Sequence, residues 1–228
     1  MENMEFEVLD AFEHTLKSNL LKELPSYELV YREVMCQQGS ADFICFPYEK
    51  MLGTYDFSRL SSLEHGSLVL SLLKYNSGRT KEYLKERTSI ADAAFNRVLK
   101  ELKANNFIVK RKNLYFLSEN FVQENDNIWA FEVKATSWKR ALLQATMYKA
   151  FANYVVAVMP FEEEELLAEK LDLFTEMNVG VLLFDSQSLA FKWLRRPLKD
   201  SALSKWQKFF FLGKISGQHF QESLFSMR

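Results

Sequence analysis

The stretch Ile128-Trp129-Ala130-Phe131-Glu132-Val133-Lys134 decides how this chain reads. It is apolar on both faces, as a strand covered on both sides of a sheet must be, yet it ends in a carboxylate and an ammonium two residues apart. Alternation along the strand puts Glu132 and Lys134 on one face and Val133 on the other. Charges so placed are costly unless they meet partners or a metal. Downstream come a helix from about Ser137 to Ala152, the strand Tyr154 to Met159, a helix from Phe161 to about Met177 and the strand Val179 to Phe184. Strand, helix, strand, helix, strand implies parallel crossovers, hence an α/β sheet.

Upstream, Phe6, Leu9, Phe12, Leu16 and Leu20 recur at spacings of three and four, which predicts an amphipathic first helix ending near Leu21. After Pro25, the runs Tyr27 to Val34 and Ala41 to Phe46 read as two strands joined by a Gln37-Gln38-Gly39-Ser40 turn. Asp42 sits early in the second of these apolar strands and needs the same explanation as Glu132.

The middle of the chain breaks the alternation. It reads helix (Leu63 to Tyr75), turn, short helix (Thr80 to Arg87), turn, long helix (Asp92 to Asn105), then the β-like runs Phe107 to Lys110 and Leu114 to Leu117, the order of a winged helix-turn-helix. In the long helix Phe95, Val98, Leu99 and Leu102 share one face, while Asn96, Arg97, Lys100 and Lys103 point elsewhere. Lys110, Arg111 and Lys112 form a basic hairpin tip suited to phosphates. Between Leu60 and Asn120 there are 11 Lys and Arg against 6 Asp and Glu, a local excess inside a chain of net charge -1. The expected organisation is a core from 1–58 and 123–228, the latter with a C-terminal tail, interrupted by an inserted domain at 59–122.

Composition narrows the remaining classes. Hydrophobic residues at 48%, with 20 Phe, supply a core, and 7 Gly with 4 Pro exclude collagen-like or linker-like chains. Cys36 and Cys45 are too few for a disulfide scaffold and read as buried packing. No apolar run approaches the roughly 18 residues of a membrane span, and the acidic start Met1 to Glu5 lacks a secretion-signal pattern, so a cytoplasmic location without membrane is expected. His14, His65 and His219 show no ligand spacing. A Gly-rich phosphate loop and a Gly-x-Ser-x-Gly elbow are both missing from the sequence. The run Glu162 to Glu165 opens a helix, where carboxylates suit the dipole. In the tail, Trp206, Phe209, Phe210 and Phe211 alternate with Lys205, Lys208 and Lys214. The aromatics are expected to pack on the sheet while the lysines stay in water.

A phosphodiester hydrolase needs two or three oxygen ligands for Mg²⁺ and a cation to position the attacking water, and Asp42, Glu132 and Lys134 offer these. The order of a Glu-bearing helix, a hairpin carrying Gly39-Ser40-Ala41-Asp42, a strand carrying Glu132-Val133-Lys134, then a helix and a strand resembles the PD-(D/E)XK nuclease superfamily. This is the restriction-endonuclease-like fold, and the resemblance is to its RecB-like and Holliday-resolvase-like branches. Gln144 and Tyr148 match the Gln-x-x-x-Tyr motif of the RecB-like branch, and Ala41 stands where the family name has Pro. The inserted domain accounts for the 90 positions between Asp42 and Glu132.

The resemblance implies a mixed sheet flanked by helices and a Mg²⁺ (or Mn²⁺) ion held by Asp42 and Glu132, with the Val133 carbonyl a further ligand. Lys134 would orient or deprotonate water and steady phosphorane charge. Glu13 of the first helix would join the catalytic set, with Glu7 its rival, and Gln144 and Tyr148 would face the substrate strand. The partner is then DNA, docked by Asn96, Arg97, Lys100, Lys103, Lys110, Arg111 and Lys112, and duplex cutting by this fold implies a homodimer or paired active site. The alternatives are a DNA-binding regulator whose core is a relic, and an adaptor that binds only protein.

Overall fold

The computed structural model describes residues 2–24, 29–36, 39–46, 57–119 and 127–226. The chain divides into two compact units, Met1–Tyr48 with Asn127–Leu203, and Glu49–Asp126 with Ser204–Arg228. In chain order the elements are α1 (Glu2–Thr15, prolonged by a π-turn at Leu16–Leu20 and a last turn at Leu21–Glu23), β1 (Leu29–Cys36), β2 (Gly39–Phe46), a 3₁₀ turn (Phe57–Arg59), α2 (Leu63–Leu72), β3 (Arg79–Thr80), α3 (Lys81–Thr88), α4 (Asp92–Ala104), β4 (Ile108–Arg111) and β5 (Leu114–Leu117). Then follow β6 (Trp129–Val133), α5 (Trp138–Tyr148), β7 (Tyr154–Pro160), a 3₁₀ turn (Phe161–Glu163), α6 (Glu164–Glu169), α7 (Leu171–Glu176), β8 (Gly180–Phe184), β9 (Phe191–Arg195) and α8 (Lys205–Ser226). Pro25 to Glu28 and the turn residues Gln37 and Gln38 lie outside the described residues, as do the side chains of Cys36 and His219.

The first unit is mixed α/β. Among the described residues its sheet has six strands in the order β1-β2-β6-β7-β8-β9, antiparallel except for the parallel neighbours β6-β7 and β7-β8. All five residues of β6 and of β8 are buried, which is why both read as continuous apolar runs. The face carrying Phe43, Phe131 and Phe184 is covered by α1, whose Phe12 ring centre lies 5.5, 5.9 and 5.2 Å from theirs. Phe12, Leu16, Leu20 and Leu24 are spaced by fours, and all are at most 3% exposed. In a regular α-helix each step of four overshoots a full turn by about 40°, so such a row drifts off the sheet. The wider π-turn at Leu16–Leu20 absorbs that drift and keeps the row pointing inward. The opposite face of β6 is packed by α5 through its buried stripe Ala141, Ala145 and Tyr148.

Two expectations for this unit change. The run from Phe161 to Met177 is a 3₁₀ turn and two short helices, broken at Lys170, whose N–H is shared between the carbonyls of Leu166 and Leu167. An additional edge strand, β9, pairs antiparallel with β8.

In the second unit α4 buries Phe95, Val98, Leu99 and Leu102 and exposes Asn96, Arg97, Lys100 and Lys103, as its spacing predicts. β4 and β5 form a hairpin whose tip holds Lys112 at a φ of 55°, and the two-residue β3 joins as a third strand. The tail departs from expectation, because from Ser204 onward it belongs to this unit and not to the sheet. It is one helix, α8, lying along α2 and the Phe57–Arg59 turn. Phe209, Leu212 and Ser216 recur at helical spacing and are buried, so the aromatics serve a helix face. Contact with α2 is close: a Cβ at Gly213 would lie 2.1 Å from Leu63 Cδ1. Lys205 and Lys214 are exposed, but Lys208 is buried. None of the described helices is long and apolar enough to cross a membrane.

Because Phe12 is fully buried between three rings of the sheet, Phe12→Ala is expected to lower unfolding stability by about 3–5 kcal/mol, read from urea denaturation.

Candidate functional site

The β2–β6 ladder pairs Phe43 with Phe131, which brings Asp42 and Glu132 side by side just past its last pair. There Asp42 Oδ2 accepts the backbone N–H of Val133 at 2.7 Å, so a side chain takes over where the strand ladder ends. On the other flank of Asp42, Glu33 adopts a φ of 52°, and the β1–β2 register passes from Arg32↔Phe43 to Val34↔Ala41 without pairing the residues between. Left-handed φ at a residue other than glycine is strained, and strain of this kind gathers at functional positions.

Glu132 is the centre of the group. Its side chain is 1% exposed, against 13% for Lys134 and 18% for Asp42, so charges here are weakly screened. Lys134 Nζ lies 2.5 Å from Glu132 Oε1, 3.2 Å from the Val133 carbonyl oxygen and 3.7 Å from Asp42 Oδ2. Three oxygens thus converge on one ammonium. The hydroxyl of Tyr148 bonds Glu132 Oε2 and lies 2.6 Å from the Ser40 carbonyl oxygen. That hydroxyl carries one proton for two acceptors, and a proton on Glu132 would satisfy both bonds in sequence. Burial raises the Glu132 carboxyl above its ordinary value, and the neighbouring Asp42 carboxylate raises it further, opposed by Lys134 and Tyr148.

Asp42, Glu132, Lys134 and Tyr148 are brought together. Tyr148 is 1% exposed, and its hydroxyl bonds the Ser40 carbonyl of the hairpin and Glu132. Gln144 is half-buried one turn earlier, and its Oε1 is buried without a hydrogen-bond partner among the described residues. Glu13 is drawn elsewhere: Lys17 Nζ lies 2.6 Å from one oxygen and Arg32 3.4 Å from the other, and Arg32 also pairs with Asp10. Glu7 is exposed on α1. Among the described residues no group of three or more His, Cys, Asp or Glu gathers as a metal site, so the centre rests on two carboxylates. Two carboxylates and a carbonyl around one point form a hard-oxygen donor set that fits Mg²⁺.

In the second unit all seven candidate DNA contacts are exposed, on α4 and on the hairpin tip. Lys110 lies over the Tyr115 ring and Arg111 over that of Phe116, which stiffens the tip. Sequence reasoning missed a cleft at the carboxyl ends of β6, β7 and β8, bordered by Val133, Lys134 and Ala135. The rule that open α/β sheets take ligands at strand carboxyl ends was the available signal.

Comparison with protein-family models, with curated proteins and with solved structures returns no match to this chain.

A raised carboxyl means the folded chain keeps a proton that the unfolded chain has lost, from the ordinary value of ~4.3 up to the raised one. Stability is present below this window and declines as pH climbs through it. Wild type is therefore expected to lose stability relative to Glu132→Gln as pH rises above the ordinary carboxyl range in chelator, measured by urea midpoints.

Proposed function

We propose that the chain is a metal-dependent DNA nuclease of the PD-(D/E)XK type, with a restriction-endonuclease-like core and a winged helix that docks DNA. The observation that carries this reading is the convergence of Asp42, Glu132 and Lys134, drawn from strands 90 positions apart, with Tyr148 bonded to Glu132. An apolar sheet gains nothing from two carboxylates and a lysine at one point, whereas phosphodiester hydrolysis needs them.

Asp42 and Glu132 would hold Mg²⁺, with the Val133 carbonyl turned to the same point. When bound, Mg²⁺ supplies polarisation of a phosphoryl oxygen and a water of lowered pKa. Tyr148 fixes the Glu132 carboxylate, so its orientation is set before substrate arrives. The Val133 N–H holds Asp42 in the same way. Lys134 donates from Nζ, to orient the attacking water and to offset the charge that gathers on the phosphoryl oxygens. In the second unit Asn96, Arg97, Lys100 and Lys103 of α4 would enter the major groove, while Lys110, Arg111 and Lys112 contact phosphates.

The reading of a non-catalytic DNA-binding regulator with a relic core has one observation in its favour. The Lys134 ammonium already sits among the oxygens, and Glu13, the expected third carboxylate, is paired with Lys17 and Arg32.

Labelled single-stranded, duplex and branched DNA incubated with Mg²⁺ or Mn²⁺ is expected to be cut by wild type, and at rates about 100-fold lower or less by Asp42→Ala and Lys134→Ala. Equal cutting by the variants would remove these residues from the site, and DNA binding without cutting would favour the regulator.

Replacing Lys110, Arg111 and Lys112 by Ala is expected to weaken DNA binding uniformly across sequences and to reduce the salt slope by about 0.9 for each phosphate that is no longer neutralised, read by fluorescence anisotropy from low to high salt. A salt-independent affinity would point to the adaptor reading.

A further inference from the structure

The helices that follow β6 and β7 carry an apolar face that the sheet does not use. Both crossovers join parallel neighbours, and the right-handed sense of such connections places α5, α6 and α7 on one side of the sheet. Two contacts put α5 beside α7. The rings of Trp138 and Phe174 lie 6.3 Å apart, and Lys149 Nζ donates to the Met177 carbonyl at 3.0 Å. Inward, α5 buries Ala141, Ala145 and Tyr148, and α7 buries Phe174. Outward stand Leu143 and Met147 of α5, Leu166 of α6, Leu173 of α7 and Met177 at its C-cap, all 38–58% exposed.

Large apolar side chains scattered singly over a surface need no explanation, whereas a contiguous group marks an interaction site. Eleven such side chains are exposed among the described residues, and five of them fall on these three neighbouring helices. Leu143 with Met147 and Leu173 with Met177 are each four residues apart, so α5 and α7 each present a short apolar ridge to solvent. Water is displaced from both ridges at once by a surface that covers the two helices together.

Charge decides what that surface is. On α5 the ridge is flanked by exposed Lys139 and Arg140, and the helix carries no acid. On α7 it is flanked by exposed Asp172 and Glu176, and the helix carries no base. Among the described residues none of these four charges is ion-paired, and Lys139 Nζ lies 5.7 Å over its neighbouring Trp138 ring. An anionic lipid surface or a nucleic acid would meet the carboxylates of α7, and a partner of one charge sign would be repelled by one helix or the other. A second copy of the chain has neither fault. A two-fold axis between the helices sets α5 of each protomer on α7 of the other, so that both ridges are covered and basic flank meets acidic flank twice.

We propose that the outward face of α5 and α7 is the interface of a homodimer, with α5 of one protomer packed on α7 of its partner. The interface follows from these helices alone, whether or not the chain is a nuclease.

The test is sedimentation equilibrium of the full chain as wild type, as Leu143→Glu, as the pair Lys139→Glu with Arg140→Glu, and as the pair Asp172→Lys with Glu176→Lys. Wild type is expected to be dimeric at about 100 μM, and Leu143→Glu to weaken self-association by about tenfold or more. Each charge-reversed pair sets like charges against each other across the two-fold axis, so each alone is expected to weaken association by about tenfold. An equimolar mixture of the two restores opposite charges at both contacts and is expected to dimerise like wild type, which also shows that both variants fold. Wild type monomeric at about 100 μM overturns the interface. Charge variants that dimerise alone as well as wild type, or a mixture no better than either variant alone, overturn the pairing of α5 with α7.

Discussion

Glu132 is a carboxylate on a strand buried on both faces, and the cost of holding it there orders much of the surrounding structure. A carboxylate taken from water needs partners with good geometry. Here they arrive from three directions: an ammonium two residues along the same strand, a tyrosine hydroxyl from the helix that follows, and, through that hydroxyl, a carbonyl of the β1–β2 hairpin. The same contacts therefore tie β6, α5 and the hairpin into one polar joint within an apolar sheet. Asp42 adds a second negative charge beside Glu132 and is held by the Val133 N–H. With both carboxyls ionised, two carboxylates and one lysine leave a net negative site, to which a divalent cation would be drawn.

Strain and register are arranged around the same point. Pairing lapses on both flanks of Asp42, at the strained Glu33 on one side and at the end of the β6 ladder on the other. On the far face of the sheet, Phe12 and the leucine row of α1 pack in an apolar cluster with Phe43, Phe131 and Phe184, whereas Tyr148 reaches Glu132 from α5 on the other side. The π-turn preserves that division by keeping the leucines inward over the full length of the helix.

Much of this was legible in the sequence because burial leaves a period. The run at 128–134 and those at 154–159 and 179–184 read as buried strands, and the i, i+3, i+4, i+7 stripe of α4 separated its faces correctly. Legibility failed where the outcome depended on contacts between elements. Glu13 is expected in the catalytic set from the resemblance, but Arg32 on β1 and Lys17 on its own helix pair with it. Tyr148 shares a helix face with Gln144, yet the buried stripe Ala141-Ala145-Tyr148 turns the tyrosine into the sheet and leaves the glutamine at its margin. The tail's aromatics signalled burial without naming the surface, which is α2, approached closely at Gly213 beside Leu63. β9 is short and half-exposed, so its alternation was too weak to stand out.

In the proposed nuclease, Asp42 and Glu132 would act together on one divalent cation, with Lys134 yielding its place among their oxygens. The most direct measurement is Mn²⁺ binding by electron paramagnetic resonance, on wild type, Asp42→Asn and Glu132→Gln, without DNA. Wild type is expected to bind one Mn²⁺ per chain, and both variants are expected to lose it. No bound Mn²⁺ in wild type, or binding unchanged by either substitution, would contradict it.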